Sequence, residues 1–183
     1  MDQGLRIEAA DVVLRPFRLD DLDALYALTQ DRAVLEFLPD WDLPKEQRRQ
    51  WLVEDEIPEA KRFLAAVAGG GHIGDMRLIL AITVRGTDQF VGWCGTGIKD
   101  DLPHPNREVG YAVAERFRNQ GYATQAVRAL VAYLFSQTDT AAVNAVSLVR
   151  NAASNKVIEK SGLPYVGIVD IDGECYRHYQ QGR

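Results

Sequence analysis

Six consecutive residues, Arg118-Asn119-Gln120-Gly121-Tyr122-Ala123, stand between a stretch of strand composition, Glu108-Val109-Gly110-Tyr111-Ala112-Val113, and a stretch whose apolar residues recur at helical spacing. A strand that enters a helix through a glycine leaves the first backbone N–H groups of the helix without intrahelical partners, and the positive end of the helix dipole lies among them. Such a point attracts an anion, and a pyrophosphate is its natural guest. Gly121 permits close approach to the backbone, and Ala123 keeps a nearby position small. A lone glycine at such a junction often serves only to turn the chain, so the surrounding sequence has to decide. A Rossmann dinucleotide site needs Gly-x-Gly-x-x-Gly after an early strand and an acidic residue about 20 positions further on. Neither that pattern nor a Walker-type Gly-Lys-Ser/Thr occurs.

The elements around this segment read as follows. Val12-Val13-Leu14-Arg15-Pro16-Phe17 is a first strand, and Asp20 and Asp21 are candidate N-caps for a helix carrying Leu22, Leu25 and Tyr26. Pro44 opens a second helix that includes Trp51 and Leu52, with more helix from Glu59 to Ala68 and a loop at Gly69-Gly70-Gly71. The apolar, β-branched run Leu78 to Val84, the turn residues Arg85-Gly86-Thr87-Asp88 and the run Phe90 to Cys94 form a hairpin. A loop at 100–106 precedes the strand Glu108 to Val113. After the glycine segment, Ala123, Ala126, Val127, Leu130, Val131, Leu134 and Phe135 mark one buried face of a long helix. Val143 to Val149 is a strand and Asn151 to Ser161 a short helix ended by Gly162. Tyr165 to Val169 and Tyr176 to Tyr179 make a closing hairpin turned at Asp172-Gly173. Helices that interrupt a mostly hairpin-connected sheet predict an α/β (α+β) sandwich in which the strands flanking the long helix run parallel through a crossover.

Composition narrows the function classes. With 46% hydrophobic and 26% charged residues, the 183-residue chain suits one ordinary globular domain over 1–183. No run is long and apolar enough to span a membrane, and Met1-Asp2-Gln3-Gly4 lacks the layout of a signal peptide, so a cytoplasmic protein is expected. A net charge of -5 offers no clustered Lys and Arg for nucleic acid and favours a cationic partner modestly. Cys94 and Cys175 are too few for a disulfide framework or a zinc site; both are expected to be packing residues, and no metal is expected. His104 and His178 read as solvated or structural. Trp93 reads as core, while Trp41 and Trp51 are core residues or walls of a binding pocket.

The motif Arg-x-x-Gly-x-Ala at 118–123 resembles the acyl-CoA signature of the GNAT superfamily of N-acetyltransferases. Asn151-Ala152-Ala153-Ser154-Asn155 with Glu159-Lys160-Ser161-Gly162-Leu163 is similar to the ribosomal-protein amino-terminal acetyltransferase branch, as is Leu14-Arg15-Pro16-Phe17 with Asp20-Asp21. These blocks run in the family's order from about residue 12 to 180. The resemblance implies a mixed, mostly antiparallel sheet of about seven strands flanked by about four helices, with a splayed parallel pair at the CoA site. It implies acetyl-CoA as cosubstrate, held by Val113, Arg118, Asn119, Gln120, Gly121, Tyr122, Ala123, Thr124, Asn151 and Asn155. The Val113 N–H would polarise the thioester carbonyl.

Three demands of amide formation from a thioester remain: a neutral amine, an oxyanion donor and a proton for the thiolate. The resemblance makes Glu108 the leading base, against a solvated strand-edge charge, with Asp170, Glu174 or an amine that binds neutral as alternatives. It makes Ser154 the proton donor, although Asn151 and Ser154 at a helix start also suit capping. Tyr111 is the alternative acid or a core residue. The implied acceptor is a primary amine, either a protein N-terminus such as that of a ribosomal protein or a small molecule such as an aminoglycoside, polyamine or amino-acid derivative. Homodimers are common in the family. A non-catalytic acyl-CoA-binding or sensing module, and a purely structural domain, are the competing readings.

Overall fold

Leu78–Val84 is buried at nearly every position, as a strand covered on both faces must be, and it lies near the centre of an eight-stranded sheet. The computed structural model describes residues 4–183; residues 1–3, on which the reading of a missing leader rests, lie outside the described residues. The strands are β1 (Ile7–Glu8), β2 (Val12–Pro16), β3 (Leu78–Val84), β4 (Phe90–Ile98), β5 (Arg107–Val113), β6 (Ala142–Leu148), β7 (Tyr165–Ile171) and β8 (Glu174–Gly182), in the spatial order β1-β2-β3-β4-β5-β6-β8-β7. All neighbours are antiparallel except β5 and β6. The mixed sheet with one parallel pair is as expected; β1 is a strand the sequence did not announce.

β4 runs past Cys94 to Ile98, through glycines that look like loop composition. At Gly92 an added Cβ would lie 2.1 Å from the Ala112 carbonyl oxygen, so the missing side chain lets β5 lie close. The closing hairpin is longer than expected and turns at Asp172-Gly173, both at positive φ (54° and 80°), which is the backbone of a two-residue hairpin turn.

The helices are α1 (Leu22–Thr29), α2 (Arg32–Leu35), α3 (Lys45–Trp51), α4 (Ile57–Ala68), α5 (Tyr122–Gln137) and α6 (Ala152–Ser161). A π-helical segment, Leu52–Glu56, joins α3 and α4 into one rod where a break was expected. Pro58 has no N–H to donate to the preceding turn, and the wider turn accommodates it. Short α2 was not foreseen, although its N-cap is plain: the Asp31 side chain accepts from the Ala33 N–H at 2.9 Å.

Asp21 does not cap α1. Its carboxylate, buried, accepts two bonds from the Arg15 guanidinium, both 2.8 Å, and one from the Arg18 N–H at 2.7 Å. Burial alone would lower the Arg15 pKa, and the pairing with Asp21 and Asp88 overcomes this and raises it. The network ties β2 to the β3–β4 turn, where Asp88 accepts from Arg15 and Arg18.

Two cores result. On one face, Ala126, Val127, Leu130, Val131 and Leu134 of α5 and Ile158 of α6 pack on Leu80, Val109 and Val143, with Phe63 of α4 alongside. On the other, Leu25 and Leu28 of α1 and Val34 of α2 pack on Ala81, Trp93 and Ala112. Burying each Leu or Val contributes about 1.5–3 kcal/mol against chain entropy, and this holds both helical layers to the sheet.

Candidate active site

β5 and β6 share one bridge, Glu108↔Asn144, and then part. The buried Asn144 side chain holds the apex of the wedge: its Nδ2 donates to the carbonyls of Pro105 (2.9 Å) and Arg107 (3.1 Å), while its Oδ1 meets His178 Nε2 (2.8 Å) and Gln180 Nε2 (2.9 Å). Hydrogen bonding alternates along an antiparallel pair, and the Ala114 N–H donates to the Val91 carbonyl at 2.9 Å. The N–H groups of Tyr111 and Val113 therefore point away from β4, into the gap that β6 has left. Side chains alternate as well. Val109, Tyr111 and Val113 lie with α5 and α6, whereas Ala112, and with it Glu108, faces the α1 and α2 side.

At the open end of the wedge stands the glycine segment. Asn119 (φ 62°) and Gly121 (φ 80°) turn the chain so that α5 starts at Tyr122. The positive φ is what requires glycine at 121, because an added Cβ would meet nothing nearer than Gln125 Nε2 at 3.8 Å. The backbone is open on that side, as an anion site at a helix N-terminus must be. Tyr122, Ala123 and Thr124 form the first turn, whose N–H groups have no intrahelical partners. The Gln120 side chain donates back to the Arg116 carbonyl at 3.3 Å. Arg118 turns the other way: its guanidinium donates to Asp31 Oδ2 at 2.8 Å and to the Val113 carbonyl at 3.2 Å.

On the α6 face, the Tyr111 hydroxyl lies 2.8 Å from Ser154 Oγ and donates to the Ser154 carbonyl at 3.0 Å. Burial pushes the Tyr111 pKa upward and the bond to Ser154 draws it partly back, so the phenol keeps its proton. Asn151 caps α6, accepting from the Ser154 N–H at 3.1 Å. Asn155 is buried, donating to the carbonyls of Leu148 (3.1 Å) and Val149 (3.3 Å). Both asparagines thus shape the end of β6 and the start of α6.

On the opposite face, burial raises the Glu108 pKa to about 7, against the pull of Lys99 and the Val146 N–H. Lys99, itself paired with Asp101 at 2.6 Å, is two residues beyond Gly97, the β4 partner of Glu108, and so lies on the same face. A carboxylate poised near neutrality beside a gap in the sheet can take a proton from an amine. The other acidic candidates are engaged elsewhere: Asp170 accepts from the Gly173 N–H in the hairpin turn at 3.1 Å, and Glu174 stands 3.7 Å from Arg150.

Trp93 is buried and stacks flat on Trp41 at 4.6 Å, and the Arg48 guanidinium lies over the rings of Trp41 and Trp51 while pairing with buried Glu56. Cys94 is a buried packing residue whose thiol pKa is pushed up to about 12. Cys175 is exposed, contrary to expectation, because it lies beside the Asp172-Gly173 hairpin turn, where Glu174 is exposed as well. Among the described residues, no three His, Cys, Asp or Glu side chains gather as metal ligands, and no helix is long and apolar enough to cross a membrane.

Comparison with known proteins decides the lineage. Residues 11–164 match the family model described as Acetyltransferase (GNAT) domain. The chain belongs to the GNAT acetyltransferase family. Among its GNAT relatives, the uncharacterized N-acetyltransferase YnaD of Bacillus subtilis (strain 168) is 21% identical over 159 residues, 87% of this chain and 82% of that one. The microcin C7 self-immunity acetyltransferase MccE, solved with acetyl-CoA and AMP, superposes with a TM-score of 0.75 at 16% identity, covering 100% of this chain and 98% of the other. RimL, the ribosomal L7/L12 alpha-N-protein acetyltransferase, solved with coenzyme A, gives 0.70 at 18% identity over 97% and 98%.

Within this GNAT domain, three residues that organise the site carry little or no signal in the sequence. Asn144 offered a signal, an amide in the middle of the apolar run Ala142–Leu148. Asp31 offered only its capping position. Lys99 offered none, since its relation to Glu108 comes from strand register.

Proposed function

We propose that the chain, one acyltransferase domain over its 183 residues, transfers the acetyl group of acetyl-CoA to a primary amine by direct attack on the thioester. The observation that carries this reading is the wedge between β5 and β6, which opens beside the glycine segment and has Glu108 on one face and the Tyr111–Ser154 hydroxyls on the other. Free N–H groups at 119–124 suit the coenzyme's pyrophosphate, and the wedge suits its extended pantetheine arm.

In this reading the thioester carbonyl accepts from the Val113 N–H, a fixed donor of the kind whose loss costs about 100-fold or more in rate. The amine arrives on the α1–α2 face, and Glu108 takes its proton directly or through a water. Its lone pair adds to the carbonyl carbon, the C–S bond breaks, and the sulfur takes a proton from the Ser154 hydroxyl on the other face; solvent water then returns a proton to the serine as Glu108 gives up the amine's, so the net products are the amide and the CoA thiol. Acid and base are thus kept apart by the sheet and meet only through its gap.

An acceptor at a protein N-terminus is supported by the structural likeness to RimL, and a small-molecule amine by the likeness to MccE. The reactive chemistry is the same for both. The test is thiol release from acetyl-CoA against a panel of N-terminal peptides, aminoglycosides, polyamines and amino-acid derivatives, alongside calorimetry with CoA. Turnover on one acceptor class is the expected result. CoA binding without turnover on any amine would support a sensing module instead, and absence of CoA binding would end the reading.

A further inference from the structure

We propose that Tyr111 is a positioning residue that sets the direction of the Ser154 proton, so that the serine hydroxyl presents its hydrogen to the departing coenzyme sulfur. The inference rests on the assignment of Ser154 as donor to the sulfur and extends it.

A serine hydroxyl has one proton to give and two lone pairs to receive with, and so has a tyrosine hydroxyl. The Tyr111 oxygen is 2.8 Å from Ser154 Oγ and 3.0 Å from the Ser154 carbonyl, which allows two arrangements of the same heavy atoms. In the first, Tyr111 donates to the Ser154 carbonyl and accepts the serine proton, which is then turned inward and unusable. In the second, Tyr111 donates to Oγ, and the serine proton is free to point into the wedge. The two differ only by rotation of hydroxyl hydrogens.

The second arrangement is favoured once negative charge gathers on sulfur. An O–H bonded to an anion is a charge-assisted donor, and a second hydroxyl donating to its oxygen polarises it further. Tyr111 is suited to this because burial raises its pKa and leaves it protonated at any working pH. Without the phenol, the Ser154 hydroxyl is free to bond a backbone carbonyl three or four residues back, that of Asn151 or Arg150, as serines within helices can, and its proton is diverted from the wedge. A tyrosine present only to fill the α5–α6 core would not need its hydroxyl, and phenylalanine would serve equally.

The test is a double-mutant cycle of Tyr111→Phe and Ser154→Ala, read as kcat, KM, CoA affinity by calorimetry and Tm. Tyr111→Phe is expected to lower kcat about tenfold, a fraction of what a direct donor contributes, with CoA affinity and Tm close to wild type. In the Ser154→Ala background it should have no further effect, because its action passes through the serine. Multiplicative losses, or equal losses in CoA affinity and kcat, would make Tyr111 a packing or binding residue and overturn the proposal. If Ser154→Ala slows turnover and Tyr111→Phe does not, the positioning role alone fails. If Ser154→Ala leaves turnover intact, the assignment of Ser154 fails first and the role of Tyr111 goes with it.

Discussion

Arg118, the first residue of the glycine segment, is ion-paired with Asp31 at 2.8 Å, which ties the segment to the turn between α1 and α2. The same guanidinium holds the Val113 carbonyl at 3.2 Å, so one side chain connects the end of β5, the start of the cradle and the helical layer on the opposite face. Its charge is spent on protein partners, which in the proposed mechanism leaves coenzyme binding at this point to backbone donors.

Arg118→Ala and Asp31→Asn should therefore weaken CoA binding by similar, modest factors. A partly exposed pair is worth about 0.2–1 kcal/mol, or roughly fivefold at most in Kd. The asparagine keeps the α2 cap and removes only the charge. Calorimetry on both variants and the double variant checks this: the double should be no worse than the worse single. A loss on Arg118→Ala many times larger than on Asp31→Asn would place the guanidinium on phosphate instead.

The raised pKa of Glu108 predicts a pH profile. Below about 7 its carboxyl is protonated and cannot accept the amine's proton, so kcat/KM should climb as pH rises through about 7. Glu108→Gln should remove that limb and lower kcat about 100-fold or more. A limb near 7 surviving in the glutamine variant would show that another group, or the acceptor amine, titrates there.

Stability should carry the opposite sign. Glu108 holds its proton more tightly folded than unfolded, with a pKa raised from 4.5 to about 7, so its contribution is complete below about 4.5 and is lost as pH rises through about 7. Glu108→Gln, neutral throughout, should raise Tm relative to wild type at pH 8 and change it little at pH 4. Thermal unfolding of the two proteins across that range decides it. A Tm difference independent of pH would mean the carboxylate is not desolvated.

Much of this was legible because it is local. The helical spacing of Ala126, Val127, Leu130, Val131 and Leu134, the Asp172-Gly173 turn and the Gly121 helix start each follow from a few adjacent residues. What escaped depends on the third dimension. Tyr111 and Ser154 are 43 residues apart, and their contact exists only because α6 packs beside β5. Nothing local says that β8 inserts between β6 and β7 or that Asn144 sits at the apex of a wedge. Asp21 looked like a cap because acidic residues open helices, yet the buried Arg15 claims it. The π-turn hid behind Pro58, which normally ends a helix.

In the proposed mechanism, backbone N–H groups before and within the first turn of α5 hold the coenzyme's pyrophosphate. This is tested most directly by calorimetric titration of CoA into wild type, Gly121→Ala and Gly121→Glu. The alanine variant carries the strain of φ 80° alone, about 1–2 kcal/mol, and should still bind, while the glutamate adds a carboxylate against the phosphates and should bind no CoA. If the glutamate variant bound as tightly as the alanine variant, the coenzyme would have to sit elsewhere and the start of α5 would not be its phosphate site.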